Sequence, residues 1–192
     1  MDRFSTQLMD PPWPENGGGK CKRGADRHYP TMSVRSIYQT IMTCPVWRPA
    51  PDAHLYMWVT NNYLPHGLRL MSELGFRYVT NLCWVKDRAG IGQYFRGQHE
   101  LMLFGVRGEG YLVRTGRRDL TTVEDSLADD ILIGHKRGKH SAKPEVFHEL
   151  IEARSKGPYA EIFARAKRPG WTVWGNDEAV TNQPGEVMCS NG

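Results

Sequence analysis

FSTQLMDPPW, residues 4–13, is the stretch on which the reading turns. Phe4–Met9 is a short, weakly apolar run that ends against two consecutive prolines. Proline has a fixed φ and no N–H to donate, so it cannot continue a sheet ladder. The residues therefore predict a strand that stops at Asp10 and leaves through a stiff turn whose backbone carbonyls point at a defined angle.

Asp10, Pro11, Pro12 and Trp13 place a carboxylate, rigid carbonyls and a flat aromatic face within four residues. That set suits methylation of an aromatic amine. The exocyclic nitrogen of adenine is a poor nucleophile because its lone pair is delocalised into the ring. A site that methylates it must hold the NH2 with acceptors and stack the base. Asp10 and the Pro11 carbonyl are the expected acceptors, and Trp13 the expected stacking face, a contact worth ~1–3 kcal/mol per base.

The 192 residues predict one domain, over residues 1–177, with a frayed tail at 178–192. Lys and Arg number 25 against 21 Asp and Glu, a net charge of +4. Such a balance mildly favours a polyanionic partner. Cys21, Cys44, Cys83 and Cys189 include no CxxC pair and no Cys/His spacing suited to zinc, so no metal is expected and the thiols read as free. No basic leader followed by an apolar run opens the chain, and no window reaches the roughly 18 apolar residues of a membrane span, which predicts a soluble intracellular protein.

Beyond the motif, residues 14–30 carry Gly17 to Gly19 with Lys20, Lys22, Arg23 and Arg27, and read as a mobile basic loop suited to a lid. Thr31 or Ser33 can cap a helix to about Met42, with Met32, Ile37, Tyr38 and Ile41 inward. Residues 44–52, with three prolines, read as a connection. A buried strand is expected over 54–59, then a helix carrying Leu64, Leu68, Met71 and Leu74 and ending at Gly75. Strands follow at 77–85 and 99–106, separated by a basic loop at 86–98. Residues 107–130 resist assignment. A short strand is expected at 131–133, then the basic run from His135 to His140. Pro144 suits the first turn of a helix bearing Val146, Phe147, Leu150 and Ile151 and closing near Gly157. Strands at 159–163 and 171–174 complete an α/β sheet covered on both faces, whose strand order the pattern does not reveal.

No GxGxxG fingerprint follows the first strand, so a sulfonium donor must be held by the C-terminal half. Lys143, beside a helix-starting Pro144, would lie at the positive end of that helix, where a carboxylate is favoured. Glu161 and Arg165 flank a strand end, and Asn176 with Asp177 follow the Trp-rich strand, positions from which polar groups can reach a nucleoside.

These segments together resemble the DPPW-type adenine methyltransferases, the family that includes the catalytic subunit of the messenger-RNA adenosine methyltransferase and bacterial and bacteriophage DNA adenine methyltransferases. The likeness runs through DPPW at Asp10, YPTM from Tyr29, LYMWVTNN from Leu55, WVK ending at Lys86, and HELMLFGVRG from His99. It continues through HSAKPE from His140, EIFAR from Glu161 and GWTVWGN from Gly170. The resemblance implies a Rossmann-like S-adenosylmethionine-dependent fold with permuted motif order, the catalytic motif preceding the donor segment. It implies that Asp10, Pro11, Pro12 and Trp13 hold the target amine, with Asp10 also facing the donor, and that Tyr29 lines the base pocket. Lys143, Arg165 and Asn176 would hold the donor, with Glu161 and Asp177 beside them, and His99 and Glu100 would lie at the rim.

The expected reaction is in-line transfer of the sulfonium methyl to the adenine amino nitrogen, driven by positioning and by acceptors on the NH2. The base must be flipped out of a duplex or presented single-stranded. The basic loops from Lys20 to Arg27, with Lys22 and Arg23, and from Lys86 to Arg96, with the cluster from Lys136 to Lys139, are the expected phosphate contacts, which predicts salt-sensitive binding. DNA is the preferred substrate, because the chain lacks the zinc fingers and long extensions of RNA-acting relatives. An RNA methyltransferase and a non-catalytic partner subunit are the alternatives. A homodimer or a heterodimer with a related subunit is expected, in the cytoplasm of a prokaryotic or bacteriophage-infected cell.

Overall fold

A computed structural model describes residues 3–14, 31–87, 89–90, 94–117, 120, 122–125 and 143–175. Ten elements follow one another: β1 (Phe4–Met9), α1 (Val34–Thr43), β2 (Pro49–Val59), α2 (Leu64–Glu73), β3 (Arg77–Val85), β4 (His99–Arg107), β5 (Val123–Asp125), α3 (Val146–Arg154), β6 (Tyr159–Ile162) and β7 (Trp171–Trp174). The strands form one seven-stranded sheet in the order β5-β3-β4-β2-β1-β6-β7. Every pairing is parallel except those of β4, which runs against both β2 and β3.

Burial explains this layout. Residues 53–59 of β2 are buried without a break, the signature of a strand covered on both faces. One face carries α1 and α2, whose Ile37, Ile41, Leu70 and Met71 join Met9, Leu55, Met57 and Leu103 in a single core. The other carries α3, whose Phe147 and Ile151 pack on Leu8, Tyr56, Trp58 and Met102. Ser33 caps α1 by accepting the Ser36 N–H at 3.1 Å, and Pro65 occupies the first turn of α2. At Gly67 an added Cβ would come within 2.9 Å of Val59 Cγ2, so glycine lets α2 lie close on the sheet.

Three expectations about elements need correction. Residues 49–52 belong to β2 and not to a connection. Pro49 and Pro51 are tolerated because β4 stops pairing at Ala53 and the β1 register slips between Phe4 and Thr6, so few ladder bonds need their missing N–H groups. The unassigned polar stretch contains β5, three residues held only by parallel pairing to Cys83–Val85. Helix α3 begins at Val146, two residues after Pro144, and closes at Ser155, short of Gly157. The strand expected at 131–133 and the basic run from His135 to His140 lie outside the described residues.

The lateral order in which strands are added reverses at β1. The path passes through α1 to β2 on one side, whereas β6 and then β7 lie on the other. Ligands of open parallel sheets bind beyond the strand ends at such a switch point. Asp10 is the residue that leaves β1 there.

Candidate active site

The turn after β1 is fixed by backbone bonds. Trp13 N–H donates to the Pro11 carbonyl at 2.8 Å, and Met32 N–H donates to the Pro12 carbonyl at 2.9 Å. Trp13 itself is 3% exposed. Its indole N–H donates to the Trp58 carbonyl at 2.9 Å, and its ring stacks on Tyr63 with centroids 5.8 Å apart and planes 21° from parallel. Tyr63 in turn donates its hydroxyl to the Pro14 carbonyl at 2.6 Å. Trp13 is therefore not the open stacking face expected from the sequence. It is the pin that locks the proline turn onto the end of β2.

Asp10 is held from the C-terminal half of the chain. Lys143 Nζ lies 3.0 Å from Oδ1 and 2.9 Å from Oδ2, and Arg165 Nη2 lies 3.3 Å from Oδ2. Lys143 also reaches Glu100 Oε2 at 3.3 Å, and Glu100 accepts a second ion pair from Lys86. The ammonium of Lys143 sits 5.2 Å from the centroid of the Trp58 ring, and that of Lys86 5.3 Å from the Trp84 ring. Two carboxylates and three cations thus form one chain from β3 to β6, with all but Arg165 largely withdrawn from solvent.

Burial alone would raise the Glu100 carboxyl, but the Lys143 and Lys86 charges and their hydrogen bonds outweigh it and hold the group down at about 2. For Lys143, burial alone would strip the proton, yet Asp10 and Glu100 overcome it and push the ammonium above its ordinary range. Both groups are charged across the physiological range.

Local conformation delivers these side chains. Arg165 follows Phe163, which adopts φ 64° directly after β6. A left-handed backbone at a phenylalanine costs about 1–3 kcal/mol and recurs at functional sites. The next residue, Ala164, donates its N–H to the Trp174 carbonyl at 3.0 Å, which fixes the turn against β7. Lys143 precedes α3 by a turn in which Phe147 N–H reaches the Pro144 carbonyl at 3.3 Å, so its ammonium is directed by Asp10 and not by the first turn of the helix.

Other expected site residues fall elsewhere. Glu161 bonds His148 of α3, Nε2 to Oε2 at 3.0 Å, and does not join the Asp10 cluster. Arg96 donates to the Gly90 and Ala89 carbonyls at 3.2 and 3.1 Å, closing its own loop. His99 is exposed at the start of β4, opposite Val85. Tyr29, Lys20, Lys22, Arg23, Arg27, Asn176 and Asp177 lie outside the described residues. Conversely, Trp58 and Tyr63 belong to the site although the sequence did not single them out for it, and Lys86, expected in a phosphate-contacting loop, pairs with Glu100. The Thr60 hydroxyl, buried where β2 ends, has no hydrogen-bond partner among the described residues. Among those residues no group of three or more His, Cys, Asp or Glu is placed to hold a metal ion.

The RNA methyltransferase MTA1 of Cryphonectria parasitica, named for N6-methyladenosine, is 28% identical over 95% of this chain and 56% of its own length. The human N(6)-adenosine-methyltransferase catalytic subunit METTL3 is 25% identical over 92% of this chain and 28% of its own length. The human N(6)-adenine-specific methyltransferase METTL4 is 27% identical over 91% of this chain and 37% of its own length. The chain thus spans about half, or less, of these relatives. The family model MT-A70 matches residues 4–177, nearly the whole sequence and every strand described above, and the chain belongs to the MT-A70 family.

Proposed function

We propose that this chain is an S-adenosylmethionine-dependent methyltransferase that acts on the N6 amino group of adenine in nucleic acid, with RNA as its substrate. One observation carries the reading. The carboxylate of the DPPW turn, at the switch point of the sheet, is gripped by two cations that arrive from the far end of the sequence, Lys143 and Arg165. Amine-binding and donor-binding segments that lie some 130 residues apart or more meet on one carboxylate.

Asp10 and the Pro11 carbonyl are the acceptors for the N–H bonds of the target amine. Lys143 and Arg165 fix the plane of the Asp10 carboxylate, and Trp13, held by Trp58 and Tyr63, fixes the turn. Positioning of this kind can lower a barrier by about 7–11 kcal/mol. A donor that carries a carboxylate needs cations at the site, and Lys143 and Arg165 are the residues that would hold it. S-adenosylmethionine, when bound, supplies a methyl group already activated by its sulfonium. Among the described residues the cysteines are poor nucleophiles: burial raises the thiols of Cys44 and Cys83, which disfavours the thiolate.

The preference for DNA drawn from the sequence finds no support among the relatives, two of which are named for adenosine and one of these for RNA. METTL4, named only as adenine-specific, keeps DNA in the test. The experiment is incubation with methyl-labelled S-adenosylmethionine and parallel single-stranded RNA, single-stranded DNA and duplex DNA, each digested to nucleosides. N6-methyladenosine from RNA is expected, with no product from Asp10→Ala. Label in deoxyadenosine alone overturns the substrate, and undiminished product from Asp10→Ala overturns the mechanism.

A further inference from the structure

A second cavity opens on the α3 side of the sheet, toward the start of β3, and encloses about 710 Å³. Its floor is apolar and aromatic: Tyr56, Leu82, Phe104 and Leu150. Three guanidiniums line it, those of Arg77, Arg114 and Arg154, against one carboxylate, that of Glu109. Glu109 is engaged by the Tyr111 hydroxyl. Arg154, half-buried at the end of α3, donates one N–H to the Arg117 carbonyl at 2.6 Å. Among the described residues none of the three arginines has a carboxylate partner.

Arg77 and Arg114 are exposed and Arg154 is half-buried, so the three guanidiniums are open to an anion that enters the cavity. The positive field reaches the floor, where Arg154 disfavours the protonated form of His54. His54 is already kept neutral chiefly by burial, so it adds no charge of its own. Its ring is tied instead to the Ser155 hydroxyl and the Gly110 carbonyl, both at 2.6 Å.

We propose that this cavity is a second ligand site, distinct from the Asp10 cluster, for a small molecule that pairs a planar aromatic body with a phosphate: a nucleoside monophosphate in class. The volume falls within the roughly 300–1,000 Å³ usual for sites of single small ligands. Phe104, packed against both His54 and Tyr56 with centroids 5.0 Å away, and Tyr111 supply faces for a base. Arginine forks match phosphate oxygens two at a time. Thr80 and Thr122 add hydroxyls on the wall.

The test is calorimetric titration of the whole chain with AMP and with UMP, with adenosine, uridine and inorganic phosphate as separate arms. The readout does not depend on methyl transfer. One molar equivalent of nucleotide is expected to bind, at least about tenfold tighter than nucleoside or phosphate alone. Arg154→Gln and, at the exposed start of β3, Arg77→Gln should each weaken it about tenfold, whereas Arg165→Gln should leave it unchanged. Using two arginine variants separates loss of the site from loss of the fold. Binding that is abolished by Arg165→Gln and indifferent to both arginines would assign the nucleotide to the Asp10 cluster and overturn the proposal. Phosphate binding as tightly as either nucleotide, or no binding by AMP or UMP, would overturn it as well.

Discussion

Replacing Glu100 by glutamine keeps the shape of the side chain and removes its charge, so the variant mimics the protonated acid. In the folded protein the carboxyl is held at about 2 against a reference of 4.5. That difference of about 2.5 units corresponds to roughly 3 kcal/mol favouring the ionised form. Because the folded value lies below the unfolded one, this stabilisation is fully present above pH ~4.5 and is lost as pH falls toward 2. The wild type should therefore exceed Glu100→Gln in unfolding free energy by about 3 kcal/mol at pH 7 and by only about half as much at pH 3. The measurement is urea unfolding of both proteins at the two pH values, extrapolated linearly. Taking the difference cancels groups that titrate in both, His54 among them. A gap below 1 kcal/mol at pH 7, or the same gap at both pH values, would show that Glu100 does not derive its ionisation from Lys86 and Lys143.

Lys143→Met should destabilise the fold by about 3–5 kcal/mol, because Asp10 and Glu100 lose a shared buried partner, and should weaken donor binding at least tenfold. Arg165→Gln, whose side chain is 40% exposed, should cost under 1 kcal/mol of stability while still weakening the donor; equal losses of stability in the two variants would contradict the burial argument. Trp13→Phe removes the donor to the Trp58 carbonyl and should cost about 1–3 kcal/mol with a fall in kcat, measurable by melting and by turnover. Gly105→Ala places a Cβ 2.5 Å from Met71 Sδ and 3.2 Å from the Arg77 carbonyl, and should lower stability by about 1–3 kcal/mol in the same melt; an unchanged Tm refutes that close contact.

What the sequence made legible follows from how local each signal is. β1, β3, β4 and β7 could be read because their apolar or β-branched runs end at prolines, glycines or charge. The DPPW turn could be read because two prolines constrain the backbone without help from the rest of the fold. The placement of β4 against the direction of its neighbours could not, since antiparallel and parallel buried strands share the same composition. Strand β5 has only three residues and exists through β3 alone. At the site, Asp10, Lys143 and Arg165 were found by motif. Trp58 and Tyr63 were not, because each acts through contacts some 50 residues distant from its partner in the turn. Trp13 misled for the same reason: its aromatic face was legible, whereas the Tyr63 ring that occupies it was not.

The charge cluster itself argues for function and against a purely structural role. A buried ion pair rarely stabilises a fold more than well-packed apolar residues of the same volume would. Here two carboxylates and three cations are drawn from β3, β4, the turn after β1, the entry to α3 and the exit of β6, and the exit is made through a left-handed phenylalanine. Stability alone would be served by leucine or methionine at several of these positions. What the cluster adds is a fixed orientation for one carboxylate and two cations beside it, both at the switch point of the sheet. An amine needs the first and an anionic donor needs the second. The same reasoning makes Lys143→Arg a disruptive change: the ammonium is a point charge shared between Asp10 and Glu100 over the Trp58 ring, and a larger planar guanidinium directs its donors along different lines from the same buried position. Arginine at 143 should therefore retain the charge and still lose most of the activity.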